Sequence, residues 1–504
     1  MFCCANLQGF CQPPGETFAP KRIVNANNAS GRFRHPFAMV MGPGDSLWIT
    51  ERRGFVVRID PVNGTKKTLL NITNKVRFTT SGGGTNIAQD GLFGIAIHPE
   101  LNKGKGNDFI YTAYCYDSSG LRRVRVVRYT YGKSAISPFG DTLLNEVTLL
   151  RGIPGSNDHN GGKLAIGNFG TAQSPDYKLM YTVGDRGANQ FSNACDSIQS
   201  QYLPTQAQLN AGNLIRYNGK IIRLNLDGSI PADNPILAGV KSHVWSYGHR
   251  NPQGIVFETD ENKVLIPKGK LYSSEMGPAC NDEINIIDSA NNYGWPRISG
   301  KKDDVWYKYY NWSASTAPNP LCSAYSSECS ATQSNFGLTE SSYNAPRLTN
   351  PIFDLYPGAP PTVNGVPNTC FWLTYPTLAP SSIAYYPYSN LIPGWDKCLL
   401  ISTLKSSAVY RLKLNSAGDN AASVSDSVMQ YFRDNNSLNR FRDIVVGNDG
   451  LRFFVLTDSV GATSGPSGNS ANVTDRGCVL EYVYTGTVLT LGNNSITNNS
   501  NSSS

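Results

Sequence analysis

Five histidines occur in the chain, His35, His98, His159, His243 and His249, and two of them sit where chemistry could be done. His159 lies in Asn157-Asp158-His159-Asn160-Gly161-Gly162, a polar loop just before the apolar run Lys163 to Ile166. Glycines there let the backbone approach a ligand while the imidazole projects into a cavity. Further on, Val183-Gly184-Asp185-Arg186-Gly187 ends an apolar run on a carboxylate that can orient an imidazole by accepting its ring N–H. A turn histidine is more often structural than catalytic, so this pair by itself leaves both readings open. His249 opens a second cluster, Tyr247-Gly248-His249-Arg250-Asn251-Pro252-Gln253-Gly254. Arg250 brings a planar fork of donors suited to stabilising a developing oxyanion, against the plainer reading of a surface arginine in a turn. In Ser274 to Glu283 (SEMGPACNDE), carbonyls of the Gly277-Pro278 turn beside acidic residues suit a hard cation such as calcium, although no EF-hand spacing is present. Lys405, Arg440 and Arg442 would suit a ligand with several carboxylates only if folding brings them together.

Positioning such scattered residues requires a fold that gathers many loops. Runs rich in Val, Ile, Tyr and Phe recur between turn clusters: Ser46 to Ile59, Lys178 to Val183, Lys220 to Leu226 and Leu451 to Leu456. They read as strands, and their recurrence suits the blades of a β-propeller. Six blades fit the 504 residues at roughly 80 residues each when some carry long loops. No helical periodicity extends beyond two turns. Two tandem all-β domains are the competing arrangement, but the only long irregular stretch, Asn311 to Pro367, reads as an insertion.

Composition narrows the function. The net charge is +7 and only 16% of positions are charged, too sparse for a nucleic-acid binder or a disordered chain. No run of eighteen apolar residues suggests a transmembrane helix. Eleven widely scattered cysteines lack zinc-type pairing, and with many Asn-x-Ser/Thr sequons they favour disulfides and a secreted or periplasmic setting. Met1 to Gln12 lacks the pattern of a signal peptide, so export is an inference. The expected organisation is a Cys-containing extension over residues 1–30, one propeller over 31–486, and a polar Ser/Asn-rich tail over 487–504.

Nine collinear segments, among them QDGLFGIAIHPE, DHNGGKLAIG, YTVGDRGANQ, YGHRNPQGIVF, SEMGPACNDEIN with NNYGWP, and NRFRDIVVGNDG, resemble the soluble quinoprotein glucose dehydrogenases. That family consists of sugar dehydrogenases that use pyrroloquinoline quinone (PQQ), and the likeness runs from about Phe37 to about Tyr484. It implies an all-β fold, a six-bladed propeller of four-stranded antiparallel blades, with PQQ and calcium on one face. It further implies that His159 is the general base for the C1 hydroxyl of an aldose while hydride passes to PQQ, that Asp185 orients His159, and that Arg250, with Asn251 beside it, stabilises charge on the quinone oxygen. Thr377, Lys405, Arg440 and Arg442 would hold PQQ, and Gln89, Asp158 and Gln190 would touch sugar or cofactor edge. Carbonyls of Gly277 and Pro278 would bind the calcium ion under PQQ, and Glu283 and Tyr293 would contribute to a separate structural calcium site.

Met276 stands where the resembled enzymes usually carry His, and Tyr375 where they carry Trp, which suggests kept chemistry with a shifted substrate. The principal alternative is an extracellular binding module on the same propeller, like hedgehog-interacting protein; retention of His159, Arg250, Lys405, Arg440 and Arg442 together argues for the enzyme. A glycosidase or lactonase lacks any independent carboxylate-pair or metal-cage signal. The sugar, the electron acceptor and the oligomeric state are not legible; family members can be dimers.

Overall fold

The computed structural model describes residues 15–23, 31–80, 88–134, 137–278, 280–305, 307–319, 321–325, 337–355, 362–363, 366–367, 377–433, 439–459 and 473–486. Six four-stranded antiparallel sheets account for most of it. From the inside outward, the first blade is Pro36–Met41, Leu47–Glu51, Phe55–Ile59 and Lys66–Asn71. The second is Leu92–Ile97, Phe109–Ser118, Leu121–Ser134 and Ser137–Pro154, and the third Leu164–Asn168, Tyr177–Val183, Lys220–Asn225 and Val244–Tyr247. Pro252–Phe257, Leu271–Glu275, Asp282–Ile286 and Phe353–Leu355 make the fourth, and Pro380–Ser389, Asp396–Thr403, Val409–Lys413 and Val428–Tyr431 the fifth. The sixth blade runs Phe441–Val446, Arg452–Thr457 and Val479–Tyr484, and its outermost strand is Phe18–Arg22 from the other end of the chain.

The innermost strands touch in a closed ring, the sixth against the first, so one toroid replaces the tandem-domain alternative. Inner strands are apolar on both faces because a blade packs on each side: in Leu92–Ile97 every residue but the last is buried. Closure is well sealed. Phe18 packs against Trp395, Phe432 and Phe453, while Glu16 accepts from Trp395 Nε1 at 2.7 Å and from the Tyr431 hydroxyl. The propeller thus draws a strand from the stretch expected to be an N-terminal extension.

The predicted strands are present, with Ser46 to Ile59 split by a turn into Leu47–Glu51 and Phe55–Ile59. One α-helix of a single turn, Gln206–Asn210, occurs among the described residues, and no helix there is long and apolar enough to cross a membrane. The disulfide expectation holds for Cys195–Cys322, whose Cα atoms lie 5.1 Å apart. It fails for Cys115, Cys280, Cys398 and Cys478, which are buried free thiols. Three of these, Cys115, Cys398 and Cys478, fill hydrophobic clusters as small apolar side chains. Cys3, Cys4, Cys11, Cys329 and Cys370 lie outside the described residues, as does much of the expected insertion and tail.

Candidate active site

Antiparallel pairing puts the start of each innermost strand beside the end of the second strand of the same blade: Pro36 faces Glu51, Leu164 faces Tyr181, Pro252 faces Glu275, Pro380 faces Thr403 and Phe441 faces Thr457. Every loop that precedes an inner strand or follows a second strand therefore opens on one face of the toroid. The loops carrying His159, Asp185, Arg250, Gly277, Thr377, Lys405 and Arg440 are all of these two kinds. The fold gathers on one face what the sequence scatters over hundreds of residues.

His159 is buried, and its backbone takes the left-handed φ of 43° that turns the imidazole inward. The close approach depends on Gly184, where a Cβ would lie 2.1 Å from the His159 carbonyl oxygen. Nδ1 of His159 is 2.8 Å from Asp185 Oδ1. The same carboxylate accepts from Gly187 N at 2.8 Å and, through Oδ2, from Trp295 Nε1 at 2.8 Å. A carboxylate held by three donors fixes the proton of the imidazole on Nδ1 and leaves the Nε2 lone pair as the basic site. Nε2 faces Gln190 Nε2 at 3.4 Å and Asp158 Oδ2 at 3.8 Å. Gln190 also donates to Asp158 at 3.1 Å, and Gln89 donates to the other oxygen of that carboxylate.

Gln190 links this group to Arg250, whose Nη2 donates to Gln190 Oε1 at 3.2 Å and whose Nη1 donates to the Met276 carbonyl at 3.4 Å. The guanidinium lies 5.3 Å above the Trp295 ring, and its Nε is buried without a partner. Glu275 holds the turn below: its carboxylate accepts from the backbone N–H groups of Arg250 and Asn251 and from His249 Nδ1. Asn251 Oδ1 in turn accepts from Gly161 N at 3.0 Å, tying this turn to the His159 loop. Trp295 and Glu275 were not singled out from sequence, although both lie in quoted segments; their partners are far away in the chain.

The basic residues gather around carboxylates in the same mouth. Arg442 Nη2 lies 2.6 Å and Arg440 Nε 3.6 Å from Asp458 Oδ2. Burial, partly offset by Asp458, lowers Arg440 to about 10, and burial with Arg442 nearby lowers Arg52 to about 10. Arg52 gave no sequence signal. Lys405 reaches Thr377 Oγ1 at 3.4 Å; burial lowers its ammonium to about 8 against the opposing pull of Asp282, which burial raises to about 6. Asp282 accepts from Gly277 N at 3.0 Å and Leu378 N at 2.6 Å, joining the Gly277 turn to the Thr377 loop. Across the central channel, Lys163 pairs with Asp443 at 2.7 Å, so the residue after the His159 loop is bonded to the strand bearing Arg442.

These observations fit a ligand with several carboxylates. Three arginines crowd around Asp458, and Arg442 Nε is buried without a partner, an excess of cation that an anionic ligand relieves. No donor among the described residues reaches the carbonyls of Gly277 or Pro278, which suits a hard cation there. The second expected ion site is less convergent. Glu283 is buried, its carboxylate accepting from Gly300 N at 2.7 Å and Asn285 at 2.9 Å, and burial with Glu275 nearby raises it well above the usual range. The Tyr293 hydroxyl instead bonds Ile286 O and Asp288 N, and its ring stacks on His249 at 4.7 Å. No group of three or more His, Cys, Asp or Glu suited to a metal occurs among the described residues. Tyr375 lies outside them.

Comparison with known proteins shows the family. The profile of the Glucose / Sorbosone dehydrogenase family matches residues 33–353 and 355–464. The chain is 36% identical over 488 residues to quinoprotein glucose dehydrogenase B of Acinetobacter calcoaceticus, covering 94% of this chain and 93% of that protein. It is 24% identical to aldose sugar dehydrogenase YliI of Escherichia coli over 88% of this chain and 92% of that one. The PQQ-bound aldose sugar dehydrogenase of Streptomyces coelicolor shares the fold, with a TM-score of 0.57 at 22% identity, covering 94% of this chain and 99% of the other.

Proposed function

Because the chain belongs to the glucose/sorbosone dehydrogenase family, we propose that it oxidises an aldose or related sugar at C1 to the lactone, using PQQ and calcium. The observation that carries this reading is the contact chain Asp185–His159–Gln190–Arg250, a fixed base separated by one side chain from a buried arginine. When bound with calcium, PQQ supplies the hydride acceptor. His159 Nε2 takes the C1 hydroxyl proton, with Asp185 stabilising the imidazolium that results. Gln89, Asp158 and Gln190 orient the sugar hydroxyls. Arg250 offers its fork to the oxygen where negative charge develops, with Asn251 beside it. Arg440, Arg442, Lys405 and Thr377 would hold the cofactor carboxylates, and the carbonyls of Gly277 and Pro278 would hold the calcium ion. The Cys195–Cys322 bridge supports a secreted or periplasmic setting. A binding module would have no use for a buried base beside surplus buried cations.

The test is a PQQ titration followed by absorbance, then a panel of aldoses with an artificial acceptor. Chelation of divalent ions should abolish PQQ-dependent turnover and added calcium should restore it; turnover that survives exhaustive chelation removes calcium from the reading. Lys405 gives a pH signature. Its charged form is the one that binds an anion, and that form is lost as pH rises through about 8. PQQ affinity of the cofactor-free protein is therefore expected to be level between about pH 6, where Asp282 titrates, and about pH 8, and to fall above that, toward tenfold per unit. Lys405→Met should erase the slope. A wild-type affinity that is level to pH 9.5 would take Lys405 out of the cofactor site.

A further inference from the structure

We infer that the rim of the mouth where the sixth blade meets the first is the docking surface for an acidic protein that carries one electron, steered there by Arg34 and Arg53 and centred on Phe78. The inference rests on the sugar-oxidising reading above. Each sugar oxidised to the lactone releases two electrons and two protons, so two such carriers leave with one electron each and the protons pass to water. The stretches that build this surface all open on the cofactor face. Residues 31–35 and 77–80 belong to loops that precede the inner strands of the first and second blades, and 52–54 follows the second strand of the first. The surface abuts the arginines proposed to hold the cofactor: His35 N donates to Ser459 Oγ at 2.7 Å, and the preceding Asp458 pairs with Arg440 and Arg442. A carrier seated here lies one loop away from those residues.

The charge is local and uncompensated. Arg34 is exposed and Arg53 half-buried, and neither guanidinium has an ion pair or side-chain hydrogen bond with a described residue. Their charges converge on one spot. Burial lowers the His35 imidazole to about 4, with Arg52, Arg53 and Arg34 adding to the effect and Asp458 opposing it. Glu51 feels both free guanidiniums, but it is half-buried and its carboxylate accepts from Arg34 N at 2.8 Å. Phe78 lies among these cations, its ring 5.0 Å from that of His35 and 5.6 Å from the Arg52 guanidinium. The backbone on either side of it is tied down: Arg77 N donates to Cys115 O at 2.8 Å, and Thr79 donates to Asp90 through N at 2.9 Å and Oγ1 at 2.6 Å. A held aromatic ring ringed by arginines has the composition of a protein interface, and free charge at its edge raises the encounter rate of a partner of opposite sign. Its small extent suits the brief contact of a carrier that must leave after one electron. An acidic glycan would meet the same cations, but closeness to the cofactor-holding arginines favours a redox partner.

The test uses enzyme loaded with PQQ and calcium, one aldose, and two protein oxidants of opposite charge: plastocyanin, which is acidic, and cytochrome c, which is basic. Wild type should reduce the acidic carrier with a kcat/KM that falls about tenfold between roughly 20 and 200 mM salt. Arg34→Glu combined with Arg53→Glu should lower that kcat/KM at least about tenfold at low salt and flatten the salt dependence. Stopped-flow reduction of the bound cofactor by sugar should stay at the wild-type rate in the same variant. The cofactor-free chain gives a second readout: titrated into isotope-labelled plastocyanin, wild type should broaden the carrier's amide NMR signals and the charge-reversed variant should not. Unchanged carrier kinetics in the variant, an equal loss in reduction by sugar, a wild-type preference for the basic carrier, or binding of the cofactor-free chain to heparin and not to plastocyanin would each overturn the inference. Should wild-type enzyme oxidise no sugar, the parent reading fails, whereas the NMR titration still reports on the docking surface.

Discussion

Replacing His159 by alanine is expected to cut turnover at least about 10²-fold while leaving PQQ binding close to wild type. The reasoning is geometric. The His159 imidazole bonds Asp185 and faces Gln190 and Asp158 rather than Arg440, Arg442, Lys405 or Thr377, so its loss removes a base without removing a cation. Asp185→Asn is the informative companion. The amide keeps the shape but cannot require a proton on Nδ1, so the imidazole is free to adopt the other tautomer; a loss of about 10²-fold or more is expected with little change in sugar KM. Stopped-flow reduction of the bound cofactor, read apart from acceptor turnover, checks both. Wild-type reduction rates in His159→Ala would assign proton removal elsewhere.

Replacing Arg440 by methionine should weaken PQQ binding by roughly 10- to 100-fold, the worth of a charge-assisted hydrogen bond to a carboxylate. Its effect on the cofactor-free fold has the opposite sign. Burial disfavours the Arg440 charge, Arg442 repels it, and Asp458 keeps its pairing with Arg442 at 2.6 Å after the change. Thermal melting without cofactor should therefore be unchanged or higher. With saturating PQQ the order should reverse, because wild type gains more from ligand linkage. Tight binding by Arg440→Met would show that the arginine serves the blade and not the ligand.

How much of this was legible in sequence depends on whether the signal was local. The His159 loop, the Asp185 strand end and the Arg250 turn are short polar, glycine-flanked stretches between apolar runs, and that contrast exposes them. The propeller was legible from recurring strands, and the blade number from length. Trp295 was not, since it acts on a carboxylate 110 positions away and resembles any core aromatic when read alone. Glu275 and Asp458 were hidden for the same reason: each carboxylate serves residues of another loop that only the toroid brings near. Arg52 sits in a run that reads as an ordinary charged turn. The cysteines misled because a thiol in a strand and a half-cystine in a loop have the same letter; only burial separates Cys398 from Cys195. The nine-segment resemblance compensated for these gaps by supplying positions that no spacing rule could.

The outermost strand of the sixth blade, residues 18–22 laddered to 479–484, sets the order in which the ring can be made. The strand at 18–22 is made long before its partner at 479–484, so annular closure is a late event of folding and not an early one. The same seam is held by hydrogen bonds and the Phe18 aromatic nest rather than by peptide linkage. Tension applied between the two termini would part the annulus there, peeling one ladder while the other five blades keep their hairpins intact.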